Sequence, residues 1–188
     1  MTQKNNQIMS LIITGNPGVG KHTVANEILK NGSFQLLDIN KIAIEMNHVE
    51  NDSMEVDVEN LKSHIQKMLT HRSLVVGHLA PYVFEQSDVE LVIVLRKNPY
   101  DLIDIYKNRN YSDAKNKENT GSEILGIVAN DSISTFGRSK TYEIDTTDKT
   151  TKQIIDRINE IREGGDGDFV DWLLLVKEKN DFNRFFDY

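Results

Sequence analysis

The sequence predicts an α/β fold in which a five-stranded parallel sheet lies between two layers of helices. Three observations support this prediction. Short apolar runs rich in Val, Ile and Leu recur along the chain, as expected of parallel strands that are covered on both faces. Segments with apolar residues at helical spacing separate these runs, and such alternation is typical of βαβ units. A glycine-rich loop, residues 15–20, joins the first strand to the first helix.

The individual elements follow from local patterns. We predict strands at residues 8–14, 34–39, 74–76, 91–95 and 140–145, and helices at residues 21–30, 57–70 and 150–162. Further helices begin near residues 40 and 98, and another carries residues 124–133. Asn31-Gly32 is typical of a helix C-cap, and Pro99 suits a first helical position. The polar segments 47–55 and 108–121 lack apolar anchors and predict loops.

Length and composition limit the class of protein. A chain of 188 residues is enough for one domain, which we place at residues 1–163, followed by a linker and a docked helical tail at 164–188. A net charge of −7 argues against non-specific nucleic-acid binding. The absence of Cys excludes disulfides and thiolate zinc sites. With no apolar run near the roughly 20 residues that span a bilayer and no recognisable signal peptide, we expect a soluble cytoplasmic protein.

The segment G-N-P-G-V-G-K-H-T, residues 15–23, matches the phosphate-binding P-loop G-x-x-x-x-G-K-[ST] except at its last position. Loop N–H groups and the helix dipole attract phosphate, glycines let the backbone approach it, and Lys21 reaches the β and γ phosphates. Because a strand and an amphipathic helix flank the loop, we predict a three-layer P-loop NTPase. The predicted nucleotide contacts are Asn16, Pro17, Gly18, Val19, Gly20, Lys21, His22 and Thr23.

His22 stands where the motif has a Ser or Thr that binds Mg²⁺, and an imidazole cannot supply that hydroxyl. Three interpretations remain open. Phosphates, water and a carboxylate could hold Mg²⁺ while His22 points aside; Thr23 could place its hydroxyl on a phosphate; or the metal site could be weak and turnover slow. We favour the first. The sequence assigns no metal ligand, although Thr23 or Asp38 could reach the cation through water.

Further candidate ligands lie at predicted strand ends or, for Arg109, in the polar segment 108–121. Arg96 and Arg109 are candidate phosphate ligands, because a guanidinium grips phosphate oxygens bidentately, with surface ion pairs as the alternative. His78 is a candidate for positioning water or the γ-phosphate, or for acid–base help, with a capped core histidine as the alternative. Asp38 could contact an acceptor nucleotide or cap the next helix.

Six segments occur in the order G-N-P-G-V-G-K-H-T, G-H-L-A, V-I-V-L-R, R-N-Y-S, K-E-N-T-G-S-E and Y-E-I-D-T-T. Over about residues 9–161 this ordered set resembles the adenylate kinase isoenzyme 6 family. That family comprises archaeal proteins named putative adenylate kinase, a human coilin-interacting nuclear ATPase and a yeast small-subunit ribosome maturation factor. The resemblance implies a nucleoside monophosphate (NMP) kinase fold with an NMP arm at about 38–61 and a lid at about 108–118.

The resemblance also implies roles for single residues. Arg109 matches the lid arginine that contacts ATP, Lys149 lies where the family touches the adenine end of ATP, and His78 matches the histidine of the family's second signature. Separately from the resemblance, the positions of Asp38 and Arg96 at strand ends make them our candidates for the monophosphate side. Two residues depart from the family pattern. His22 replaces the Ser or Thr of the motif, and Val76 replaces an Asp or Glu. Both positions belong to the residues expected to surround Mg²⁺ and to position water.

Two functions are compatible with this resemblance. The first is an ATP- and Mg²⁺-dependent kinase that converts ATP and AMP to two ADP and has intrinsic ATPase activity. The alternative is a nucleotide-switched ATPase that assists assembly of the small ribosomal subunit, with a small-subunit ribosomal protein as partner and little kinase turnover.

Overall fold

A five-stranded, wholly parallel sheet with the strand order β2-β3-β1-β4-β5 forms the centre of the protein. The computed structural model describes residues 10–30, 34–50, 57–70 and 72–186, and only the backbone of residues 47–50. The strands are β1 (Ser10–Thr14), β2 (Gln35–Asp38), β3 (Ser73–Val76), β4 (Val89–Arg96) and β5 (Thr141–Asp145). This arrangement confirms the predicted fold class and all five predicted strands.

Helices cover both faces of the sheet. Among the described residues they are α1 (Lys21–Leu29), α2 (Ile39–Glu50), α3 (Val58–Met68), α4 (Ala80–Val83), α5 (Pro99–Asn108), α6 (Asp113–Ile124), α7 (Ile127–Phe136), α8 (Thr151–Arg162), α9 (Trp172–Glu178) and α10 (Phe182–Phe185). One buried apolar cluster joins α1, α5 and α8 to the sheet, and a second joins α2, α3, α4 and α7. The sheet is therefore the middle of three layers, as predicted.

The strand register brings the carboxyl ends of the strands to one edge. Asp38 is paired with Val76, and Ile13 is paired with Val76 on the other side. The P-loop leaves this edge after Thr14, and Gly77 and His78 leave it after β3. Ligands of open α/β sheets bind at this edge.

Both segments predicted as loops contain helix. α2 continues to Glu50, so the loop prediction is wrong for residues 47–50, while residues 51–56 and the predicted cap at 31–32 lie outside the described residues. α6 begins at Asp113 because the Ser112 side chain accepts a hydrogen bond from the Lys115 N–H, and Lys, Glu and Ala in the following turns favour helix. The single helix expected over 124–133 is divided at Gly126, whose φ is +65°.

The last two helices pack on α5 and α6 rather than on the sheet. Val176 and Phe185 are buried beside Ile124, and the Phe185 ring meets the Tyr100 ring edge-on at 5.1 Å. Within the described ranges no helix is long and apolar enough to cross a membrane.

Candidate nucleotide-binding site

The P-loop has a backbone that only glycine adopts easily. Gly15, Gly18 and Gly20 have φ values of +130°, +87° and +98°. A Cβ on Gly15 would lie 2.3 Å from the Leu95 carbonyl oxygen, and one on Gly18 would lie 3.1 Å from the Leu102 side chain. Helix α1 has no side-chain cap at Gly20, so its first N–H groups remain for an anion.

A cavity of about 410 Å³ opens above this loop. It brings together eight of the residues predicted from the sequence and four others. The predicted residues that line it are Pro17, Gly18, Gly20, Lys21, His22, Thr23, His78 and Arg109, and the others are Asn40, Tyr111, Lys115 and Asn119.

Lys21 is almost completely buried at the floor of the cavity. Its Nζ donates hydrogen bonds of 2.8 Å to the carbonyl oxygens of Gly15 and Asn16. Burial lowers the pKa of Lys21 to about 8; the charge of Glu123 opposes this shift, and that of Arg109 adds to it. A phosphate bound beside Lys21 would stabilise its ammonium form, so this site favours an anionic ligand.

His22 faces the end of the second strand. Its Nε2 lies 2.8 Å from Oδ2 of Asp38, whose Oδ1 accepts a hydrogen bond from the Lys41 N–H. Asp38 therefore caps α2 and also contacts His22. The interpretation favoured from the sequence, in which phosphates, water and a carboxylate hold Mg²⁺ while His22 points aside, stays a prediction.

The opposite wall comes from the segment that follows α5. The Tyr111 ring stacks on the Tyr106 ring at 5.6 Å, and Lys115 Nζ lies 4.4 Å from the centre of the Tyr111 ring. Tyr106 donates a 2.7 Å hydrogen bond from its hydroxyl to the Pro17 carbonyl, which ties this wall to the P-loop. Arg109 and Lys115 therefore line the same cavity as Lys21.

Sequence reasoning missed the four additional lining residues. Lys115 and Asn119 are four residues apart within α6, and this spacing places them on one helical face, whereas Tyr111 precedes the helix. The spacing could have indicated Lys115 and Asn119 had residues 113–124 been predicted as helix. Asn119 Nδ2 and Asn40 Oδ1 are buried without a hydrogen-bond partner in the described structure.

His78 also lines the cavity, between the P-loop and the start of α2. Burial, and to a smaller extent the charge of Lys21, lower the pKa of His78. The imidazole is therefore neutral at pH 7, where it can donate one hydrogen bond and accept another.

Arg96 is not brought to the cavity. Its guanidinium is buried; Nε donates to Glu123 Oε1 at 2.8 Å, Nη2 donates to the Glu123 carbonyl at 2.7 Å, and Nη1 pairs with Glu143. The expectation that Arg96 binds a monophosphate is corrected by this arrangement, because three guanidinium nitrogens already have protein acceptors. A buried arginine loses its hydration, and hydrogen-bonded carboxylates compensate for that loss.

The side chains of three other predicted residues have partners within the protein. The Asn16 side chain donates to Glu123 at 2.7 Å and accepts from Ser122, so only its main chain is available to a phosphate. Val19 has its side chain in the core and likewise offers only its backbone. Lys149 Nζ donates to the Asp145 carbonyl at 2.6 Å and lies 3.5 Å from Asp168, and it is not among the cavity residues.

The parallel sheet and the glycine loop between β1 and α1 define the class by fold, a P-loop NTPase with a five-stranded parallel sheet. Two solved structures share the fold. A gluconokinase from Sinorhizobium meliloti 1021 has a TM-score of 0.54 and 14% identity, covering 80% of this chain and 89% of that one. A shikimate kinase from Bacteroides thetaiotaomicron has a TM-score of 0.56 and 13% identity, covering 82% and 98%.

The closer relationship is to archaeal proteins, and the chain belongs to their family. A protein named "Putative adenylate kinase" from Methanococcus maripaludis is 35% identical over 160 residues, covering 80% of this chain and 86% of the relative. One of the same name from Saccharolobus solfataricus is 32% identical over 174 residues, covering 90% of each. Residues 11–126 match the family model described as AAA domain.

Proposed function

We propose that the protein is a nucleoside monophosphate kinase of the adenylate kinase type, which converts ATP and AMP to two ADP and slowly hydrolyses ATP. One observation supports this proposal above the others. A single cavity is lined by the P-loop, Lys21, Arg109 and Lys115. Three cations around one glycine cradle suit a nucleoside triphosphate.

The chemistry needs little more than position and charge. An oxygen of the acceptor phosphate attacks the γ-phosphorus of ATP, and the bond from that phosphorus to the β–γ bridging oxygen breaks, leaving its electron pair on ADP. Lys21 neutralises the β and γ oxygens, and Arg109 reaches the transferred group from the other wall. Preorganised charges of this kind supply most of the stabilisation in phosphoryl transfer. A divalent cation bound with ATP would neutralise further phosphate charge.

The acceptor side of the cavity is the less charged one. Asn40, at the start of α2, and the neutral His78 lie there, beside the carboxyl end of β3. An acceptor phosphate can take a hydrogen bond from each of these side chains. Asp38 orders this corner through His22 and the α2 cap rather than by contacting the phosphate.

A second candidate is an ATPase whose nucleotide state controls binding to a ribosomal small-subunit protein. One observation favours it. Two positions are expected to support Mg²⁺ and the attacking water, and neither of them carries the side chain that the family usually has there. His22 replaces the hydroxyl, and Val76 is completely buried in β3, where the resembled family has a carboxylate. Such replacements slow transfer more than they weaken nucleotide binding.

Product analysis distinguishes the two functions. The protein would be incubated with ATP and a divalent cation, with and without AMP, and Lys21→Ala would be the control. The kinase predicts that about two ADP appear for each AMP consumed, and that the variant forms none. Slow release of ADP and free phosphate at a rate that ignores AMP would contradict the kinase and favour the switch.

A further inference from the structure

The pair formed by His22, which lines the cavity, and Asp38, which lies behind it at the end of β2, has no role in the proposed reaction. His22 occupies the first turn of α1, at the position that follows the P-loop lysine, and Asp38 ends β2. Their nearest atoms, Nε2 and Oδ2, are 2.8 Å apart, and the His22 side chain is 54% exposed. The Lys41 N–H donates a hydrogen bond to Oδ1 of Asp38, which fixes the orientation of the carboxylate.

The spacing of these two atoms matches the spacing of two ligands on one metal ion. Metal–nitrogen and metal–oxygen bonds of about 2.1 Å at right angles place the two donor atoms about 3 Å apart. A cation could therefore replace the shared proton without moving the backbone. Transition-metal ions accept imidazole nitrogen, with an affinity that rises from Mn²⁺ through Co²⁺, whereas Mg²⁺ prefers oxygen and is the poorest match for a His ligand.

We propose that His22 Nε2 and Asp38 Oδ2 bind the divalent cation that accompanies the nucleotide, and that the protein consequently prefers Mn²⁺ or Co²⁺ to Mg²⁺. This inference rests on the proposed nucleotide site. Two protein ligands are too few to retain a metal, and the described residues contain no group of three or more His, Cys, Asp or Glu that could hold one. Phosphate oxygens must complete the shell, so tight cation binding requires the nucleotide.

Pulsed electron paramagnetic resonance of Mn²⁺ in the presence of the protein and ADP tests this assignment directly. Coupling to ³¹P shows that the cation is on the nucleotide, and coupling to ¹⁴N shows that an imidazole is bound to it. Protein labelled with ¹⁵N-histidine must show the corresponding ¹⁵N coupling. The expected wild-type spectrum contains both the phosphorus and the histidine signals.

Three variants identify the ligands. His22→Ser restores the hydroxyl of the P-loop motif and should retain phosphorus coupling but lose nitrogen coupling. His78→Gln removes the other histidine of the cavity and should retain both. Asp38→Asn should retain nitrogen coupling while Mn²⁺ binds more weakly. Competition between Mn²⁺ and Mg²⁺ for the ADP complex should show the preference for Mn²⁺ fall about 10-fold or more in His22→Ser, since loss of even an outer-shell partner costs that much.

Each contrary result has a separate meaning. Phosphorus coupling without nitrogen coupling in the wild-type protein would overturn the inference and leave the nucleotide site intact. Nitrogen coupling that survives in His22→Ser and disappears in His78→Gln would overturn the assignment to His22. If ADP caused no Mn²⁺ binding at all, the inference and the proposed nucleotide site would both fail. His22 is exposed, so circular dichroism should show a folded His22→Ser variant, and His22→Gln provides a second test.

Discussion

Glu123 accepts a 2.7 Å hydrogen bond from the Asn16 side-chain amide through Oε2, and thereby joins helix α6 to the P-loop inside the protein. Its other oxygen, Oε1, accepts from Arg96 Nε, the Lys97 N–H and Trp172 Nε1. The carboxylate is completely buried, which is tolerable only because these donors surround it. One side chain therefore connects the phosphate-binding loop, the end of β4, the cavity wall and the C-terminal tail.

Replacing Glu123 by Gln should weaken all of these connections. The change removes the charge opposite a buried arginine and replaces one acceptor oxygen by an NH₂ group. We expect the free energy of unfolding to fall by about 2–4 kcal/mol, since breaking a buried ion pair costs several kcal/mol and Glu143 still pairs with Arg96. Urea unfolding measures the change.

The matched control is Glu118→Gln, an exposed position on the same helix. It should change the free energy of unfolding by less than about 0.5 kcal/mol. Equal stability of the two variants would show that the buried network does not stabilise the fold. ADP affinity should fall with Glu123→Gln as well, because Asn16 loses its acceptor and the loop loses an anchor.

Trp172→Phe tests the connection from the tail to the same carboxylate. The substitution removes the Nε1–H donor, which lies 3.1 Å from Glu123 Oε1, and keeps most of the apolar contact. A destabilisation of about 1–2 kcal/mol is expected from the lost hydrogen bond to a charged group. Thermal unfolding followed by circular dichroism would detect it. Phe169→Ala is the control, because Phe169 is 93% exposed, and a similar shift in both variants would exclude a specific role for the indole N–H.

The sheet and the phosphate loop could be predicted because their signals are local. Strands such as β4 are continuous apolar runs, and the order of glycines and lysine in residues 15–21 limits what the backbone can do. The helix α6 escaped prediction because its sequence, DAKNKENTGSEI, shows almost no apolar periodicity. The helical conformation of α6 is stabilised by the Ser112 cap at its start and by burial of Thr120 and Ile124 near its end.

The position of Arg96 could not be predicted because its partners are distant in sequence. Glu123 and Glu143 lie 27 and 47 residues further along the chain. The Asn16–Glu123 contact spans 107 residues. An arginine at the ligand edge of a strand has the same local pattern whether it faces a phosphate or a buried carboxylate, and only the tertiary fold decides between them.

The pH dependence of stability should contain a contribution from His78. Its pKa is lowered in the folded protein, chiefly by burial and then by the charge of Lys21, so between the folded and unfolded pKa values the unfolded chain binds more protons. The contribution of His78 is therefore fully present above the unfolded pKa of about 6.5 and is lost as the pH falls below it. Urea midpoints between pH 7.5 and 5 should decline less steeply in His78→Gln. The control, His64→Gln at an exposed position of α3, should keep the wild-type slope, and identical slopes for all three proteins would contradict the prediction.

Arg109→Ala should impair the proposed transfer reaction without unfolding the protein. The residue ends α5 through its backbone N–H, which bonds to the carbonyls of Ile105 and Tyr106, whereas its side chain lines the cavity opposite Lys21. Loss of one positioned donor to a developing charge typically lowers kcat about 100-fold, and we expect a loss of that order with ATP and AMP as substrates. Lys107→Ala removes an exposed cation two residues earlier that does not line the cavity, so it should retain kcat within about twofold. Steady-state rates of ADP formation, with circular dichroism to verify folding, provide the comparison. An Arg109→Ala variant as active as Lys107→Ala would show that this wall of the cavity does not contact the transferred phosphoryl group.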